Sequence, residues 1–195
     1  MSMVNRDLLG IVLCGGRSSR MGMDKGKLLH PNGVTFLEHA KQRIGEVCEL
    51  VFMSGHTDDE TNFPTLADPV TFRGPATGVA MAVDFAAGQG LAGCLVTPVD
   101  MPNLTSHHLR KLVDCWQHSR SELVCLASEC DNRIEPLVSI YPVCFRDELS
   151  ELAESEHRSL SRWINARKHA IVTVPPAACK NVNTPDEIPN SRRRD

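Results

Sequence analysis

An apolar run, Leu8-Leu9-Gly10-Ile11-Val12-Leu13, breaks into Cys14-Gly15-Gly16-Arg17-Ser18-Ser19-Arg20-Met21-Gly22-Met23-Asp24-Lys25. The run reads as a buried strand. A glycine pair straight after a strand makes a tight turn and clears side chains from backbone that a ligand can approach. Arg20 and Lys25 then share one loop with several backbone N–H groups, a combination that suits a triphosphate. The competing reading is a glycine-rich surface loop with scattered charges. Neither common nucleotide motif is present. A P-loop needs four residues between its glycines and then Gly-Lys-Ser/Thr, but Gly22 lies one residue too close to Gly26, and Lys27 is followed by Leu28. The fingerprint G-x-G-x-x-G is also missing, so the spacing defines a phosphate loop of unassigned type.

The chain beyond alternates strand and helix signals. Thr35-Phe36-Leu37-Glu38 is a capping box that opens a helix with Leu37, Ala40, Ile44 and Val47 on one face. Residues 49–53 read as the second strand, and residues 64–67 as a short third one ending at Asp68. Arg73-Gly74-Pro75-Ala76-Thr77-Gly78 leads into a helix through about residue 87. The continuous apolar run 91–99 predicts a fourth strand buried on both faces, ending in Asp100-Met101-Pro102. Thr105 opens a helix marked by Leu109, Leu112, Val113 and Trp116. Residues 122–127 read as a strand, and 134–141 as another, with Pro136 near its start marking an edge position. Two further helical segments, a strand over 170–174 and Asn181-Val182-Asn183-Thr184-Pro185 complete the pattern.

Such alternation predicts an α/β fold: a three-layer α/β/α sandwich around a mostly parallel, Rossmann-like sheet. In such sheets ligands bind outside the carboxyl ends of the strands. The candidate residues fall at those ends: loop 13–25, Ser54, Asp68, Asp100 and Asn183. Asp100 is placed to hold Mg²⁺ bridging nucleotide phosphates, or merely to complement the dipole of the following helix.

Composition excludes several classes. A net charge of −3 argues against a general nucleic-acid binder. The eight cysteines are dispersed in apolar runs without a C-x-x-C pair, so neither a zinc site nor a disulfide framework is expected. The eight histidines show no metal-ligand spacing, and no Ser-His-Asp or Cys-His arrangement suggests a covalent intermediate. No stretch approaches membrane-span length. The first apolar run follows Asp7 and ends in glycines and charge, unlike a signal peptide. A cytoplasmic protein is expected, with residues 1–188 as one domain and 189–195 as a polar tail that includes Arg192-Arg193-Arg194.

The opening loop resembles the signature L-x-G-G-x-S-x-R-M-G-x-D-K of nucleotidyltransferases built on the glycosyltransferase-A type fold, also called nucleotide-diphospho-sugar transferase type. Together with Asp100-Met101-Pro102 and the element 181–185, it resembles the molybdenum cofactor guanylyltransferase family. The resemblance runs from about residue 8 to about residue 188. It implies nucleotide contacts from Leu13, Cys14, Gly15, Gly16, Lys25, Ser54, Asp68 and Asp100, with Asp100 also binding the metal. Cys14 stands where the family usually has Ala, and Ser54 where it commonly has Asn. Arg20, Lys25 and Asp100 would carry catalysis. Arg133, Glu135, Asn181 and Asn183 would face the second substrate, Glu135 replacing a frequent Gln. An Asx-turn is the rival reading of the asparagines.

The implied reaction is transfer of GMP from Mg-GTP to molybdopterin or the molybdenum cofactor, releasing pyrophosphate. Molybdoenzymes or their chaperones would receive the product. The alternatives are a CTP-dependent molybdopterin enzyme, a sugar-phosphate nucleotidyltransferase, and a non-catalytic nucleotide-binding protein.

Overall fold

The fourth strand organises the sheet, because all six of its residues are buried. In the computed structural model, which describes residues 4–14, 25–55, 63–66, 74–182 and 187, this strand is β4 (Gly93–Pro98). Before it come β1 (Asn5–Leu13), α1 (Phe36–Gly45), β2 (Cys48–Ser54), β3 (Thr65–Leu66) and α2 (Pro75–Gly88). After it come α3 (Ser106–Gln117), β5 (Leu123–Ser128), β6 (Ile134–Pro142), α4 (Arg146–Glu154), α5 (Leu160–Asn165) and β7 (His169–Val174). One seven-stranded sheet runs β3-β2-β1-β4-β6-β5-β7. Among the described strands only β6 is antiparallel to its neighbours.

Alternation along each strand sends successive side chains to opposite faces. Leu8, Val12, Leu95, Val124 and Leu126 meet α1 and α3 on one face, where Trp116 and Phe36 are fully packed. Leu9, Ile11, Cys94, Val96 and Cys125 meet α2, α4 and α5 on the other. The two layers of helices complete the expected sandwich. Among the described residues no helix is long and apolar enough to cross a membrane.

Local signals explain the helix ends. Thr35 accepts from the Glu38 N–H at 3.1 Å, while the Glu38 carboxylate accepts from the Thr35 N–H at 2.7 Å. This closes the capping box read from the sequence. Thr35→Ala removes one half of it and is expected to cost about 1 kcal/mol. Thermal melts should then show a Tm lower by roughly 2–4 °C; an unchanged Tm would mean that the box contributes nothing.

The sixth strand departs from expectation. Pro136 predicted an edge, yet β6 lies between β4 and β5. The reason is a bulge. Cys125 pairs with Ser139 and Leu126 with Glu135, so residues 136–138 drop out of the β5 ladder. The β4 pairing ends at Val96 opposite Ser139. The N–H that Pro136 lacks is therefore never needed. The Tyr141 hydroxyl donates to the Pro136 carbonyl at 2.7 Å, and Ser139 Oγ to the Glu135 carbonyl at 3.0 Å, closing the bulge internally.

Candidate active site

The six parallel strands share one carboxyl edge, and the antiparallel β6 starts there. Leu13 is in register with Ser54 of β2 and with Pro98 of β4, so these three ends lie side by side. The Cys14 N–H donates to the Ser54 carbonyl at 2.7 Å, and the Val99 N–H to the Leu13 carbonyl at 3.2 Å. These bonds seal the strand ends into a rim. Ser54 is buried at this rim. A Cβ added at Gly78, in the first turn of α2, would stand 3.2 Å from Ser54 Oγ and 3.3 Å from a Leu13 methyl. A Cβ here would press on both side chains, so glycine lets the start of α2 sit close to the rim without displacing them.

Lys25 opens a 3-10 turn, Lys25–Lys27, that returns the chain to the rim. Its Nζ lies 2.9 Å from Asp100 Oδ2, and both side chains are about four-fifths buried at 18% and 21% exposure. Two residues singled out from distant segments thus form one cation–carboxylate pair at the end of β4. Its partial burial strengthens the attraction relative to a surface pair.

The turn carrying Asp100 is held on several sides. The Val182 N–H donates to the Asp100 carbonyl at 2.8 Å, which brings Asn181 beside Asp100. Asn103 Nδ2 donates to the Ala177 carbonyl at 3.1 Å. His30 Nε2 sits 3.2 Å from the Pro102 carbonyl. Beneath the turn lies a residue the sequence reading passed over. Arg43 of α1 is 3% exposed and donates to the Met101 carbonyl at 2.5 Å, to Thr97 Oγ1 at 2.9 Å and to the Pro98 carbonyl. Burial pulls its guanidinium down to about 9, while Asp100 and the Cys14 thiol oppose that shift. It therefore stays cationic at neutral pH. The signal for it was present: position 43 follows Phe36 and Ala40 at helical spacing, so a charge falls on the buried stripe.

Arg133 and Glu135 stand at the same edge, after the turn joining β5 to β6. Arg133 is exposed and donates to Glu135 Oε1 at 3.1 Å. Their field reaches Cys179, whose thiol burial pushes up, with Glu135 adding to the shift and Arg133 opposing it. The 3-10 segment Pro176–Cys179 is tied to the Asp100 turn through the Asn103–Ala177 hydrogen bond. Gly15, Gly16, Arg20, Asp68 and Asn183 fall outside the described residues. Among the described residues no three His, Cys, Asp or Glu side chains converge on a metal position.

His39 of α1 stacks on His30 with ring centroids 4.0 Å apart. Burial, then His30, then Arg43 pull His39 down to about 4. The unfolded chain takes up this proton near 6.5, the folded chain only near 4. Stability should therefore fall as pH drops through that window. His39→Gln is expected to flatten the fall, read as urea midpoints at successive pH values. An unaltered profile would place the acid sensitivity elsewhere.

A parallel strand edge presenting a lysine–carboxylate pair, in a chain whose first strand runs into a glycine-rich sequence, points to a class: α/β proteins that bind nucleotide phosphates at strand ends. The chain belongs to the MobA-like NTP transferase domain family, whose model matches residues 10–171. It is a nucleotidyltransferase. A Rhodopirellula baltica protein named as a probable molybdenum cofactor guanylyltransferase is 42% identical over 190 residues, covering 93% of this chain and 90% of that relative. Among solved structures, molybdopterin-guanine dinucleotide biosynthesis protein A from Archaeoglobus fulgidus superposes with a TM-score of 0.71 at 18% identity, covering 93% of this chain and 95% of that one. A Mycobacterium tuberculosis protein solved in complex with manganese superposes at 0.61 with 14% identity, covering 87% and 89%. At these identities the two structures speak for the fold.

Proposed function

We propose that this protein transfers GMP from Mg-GTP to the terminal phosphate of molybdopterin or its molybdenum-loaded form. The observation that carries the reading is the Lys25–Asp100 pair at the carboxyl edge. The 42% identical relative supports the choice of guanine nucleotide and of acceptor. The acceptor phosphate oxygen attacks the α-phosphorus of GTP, and the bond between that phosphorus and the bridging oxygen to the β-phosphorus breaks. Pyrophosphate leaves with that electron pair. The acceptor is already anionic, so no general base is needed. The work left to the protein is positioning and charge stabilisation.

Asp100 fits a hard divalent cation: its carboxylate already holds a positive partner, Lys25, at a partly open strand end. Such an ion would neutralise phosphate charge at this edge. Lys25 would turn from Asp100 to the phosphates and offset charge growing on pyrophosphate. The opening loop, with Arg20, Gly15 and Gly16, would wrap the triphosphate, and Asp68 and Ser54 would lie on the base side. Arg133, Glu135, Asn181 and Asn183 would face the pterin phosphate. In this reading residues 1–188 act as one catalytic unit in the cytoplasm, handing the dinucleotide cofactor to molybdoenzymes or their chaperones.

Isothermal titration with GTP, ATP and CTP, each with Mg²⁺, is expected to rank GTP first. Pyrophosphate should then be released when molybdopterin is added. CTP binding tightest would move the chain to cytidylyl transfer; binding without turnover would leave only a nucleotide binder.

A further inference from the structure

We infer that Arg43 is a positioning residue that fixes the aim of the Asp100 carboxylate toward a metal-bound nucleotide, and that its forked guanidinium is required for this. The inference rests on the nucleotidyltransferase reading of the Asp100 edge. Arg43 reaches from α1 through the sheet end and binds acceptors on both sides of Asp100. Thr97 Oγ1 and the Pro98 carbonyl lie before it, and the Met101 carbonyl after it. Fixing the backbone on both flanks of a residue fixes the direction of its Cα–Cβ bond, from which its carboxylate is carried.

Burying a guanidinium costs several kcal/mol unless the surroundings repay it. Among the described residues no carboxylate lies within ion-pair distance of Arg43, and its Nε has no hydrogen-bond partner. Its charge is balanced instead by oriented carbonyls and by the attraction of Asp100. A turn that only had to fold could be held by neutral bonds, as its outer side is by the Val182 N–H. A planar fork satisfies several acceptors at fixed angles, which an ammonium on a flexible stem does not.

Two variants test this. Arg43→Lys keeps the charge and loses the fork. Thr97→Val keeps the shape of a fully buried side chain and removes one of the three acceptors. The probe is Mn²⁺, titrated by electron paramagnetic resonance in the presence of whichever nucleoside triphosphate the wild type binds most tightly. Melting temperature, kcat, and KM for nucleotide and acceptor are measured alongside. Loss of a residue that orients a metal ligand commonly costs roughly 10–100-fold in metal affinity or activity. Arg43→Lys is expected in that range for both Mn²⁺ half-saturation and kcat, with KM for the acceptor unchanged and excess Mn²⁺ restoring part of the rate. Thr97→Val should show a smaller shift in the same direction.

Wild-type Mn²⁺ half-saturation in both variants, whatever happens to their melting temperatures, overturns the inference and leaves Arg43 a packing residue. If Arg43→Lys does not fold, Thr97→Val decides by the same titration. The titration needs no acceptor. A wild type that binds Mn²⁺ and nucleotide without guanylylating molybdopterin would therefore defeat the proposed reaction and leave this inference standing.

Discussion

Asp100→Asn is expected to lower divalent-cation-dependent turnover by roughly 10²–10³-fold, the scale seen when a fixed group facing developing charge is removed. Asn matches Asp in size, and the contact that fastens residue 100 to the last segment uses its backbone carbonyl, which the substitution leaves in place. What disappears is the charge that holds Lys25 and would hold the cation. Lys25, about four-fifths buried, then lacks this carboxylate, so the melting temperature should fall, an effect read separately from the loss of turnover. Steady-state rates across a Mg²⁺ series, with melts on the same preparations, read both effects. Undiminished Mg²⁺-dependent activity would remove Asp100 from the metal site.

Lys25→Ala should have a mixed outcome that the ion pair itself dictates. Losing a charge-assisted contact to the triphosphate costs roughly 1.5–3 kcal/mol. If that contact strengthens as pyrophosphate departs, the loss appears in kcat and slows turnover by about one to two orders of magnitude. In the ligand-free protein, however, the same ammonium occupies Asp100 at 2.9 Å. Removing it clears a competing cation from the carboxylate, so half-saturation by Mg²⁺ should move to lower concentration while kcat falls. A solvated lysine without function would shift neither. Wild-type kinetics would sink the assignment of residues 13–25 as the phosphate cradle.

These two residues were legible in the sequence because the strand-then-glycine break and the buried run ending in Asp-Met-Pro are local signals. The Thr35–Glu38 box was legible for the same reason. The place of β6 was not. A proline in a strand reads as an edge unless the partner's register is known, and the bulge opposite Cys125 and Leu126 is a property of two strands together. Arg43 escaped because a charge on a helix reads as solvent-facing until the apolar stripe is counted through it, and its acceptors belong to a turn far along the chain. The tie from Val182 to Asp100 was equally hidden. The 181–185 element stood out in the sequence, but nothing local says which strand end it returns to.

The interior position of β6 governs how the molecule can be assembled. Strands β3, β2, β1 and β4 are neighbours in space and come from the first half of the chain. The next strand made, β5, cannot join them directly, because β6 must lie between. The short turn through Asn132, at a φ of 51°, makes β5 and β6 a local hairpin, a kind of element that can form in microseconds. In the finished sheet β6 of that hairpin covers the edge of β4. A β4 not yet paired with β6 would present to other chains a strand whose six residues are all buried in the finished protein. The β4–β6 seam also runs between Leu13, Lys25, Ser54 and Asp100 on one side and Arg133 and Glu135 on the other. The rim that carries Lys25 and Asp100 and the turn that carries Arg133 and Glu135 are thus joined across a pairing of strands distant in sequence.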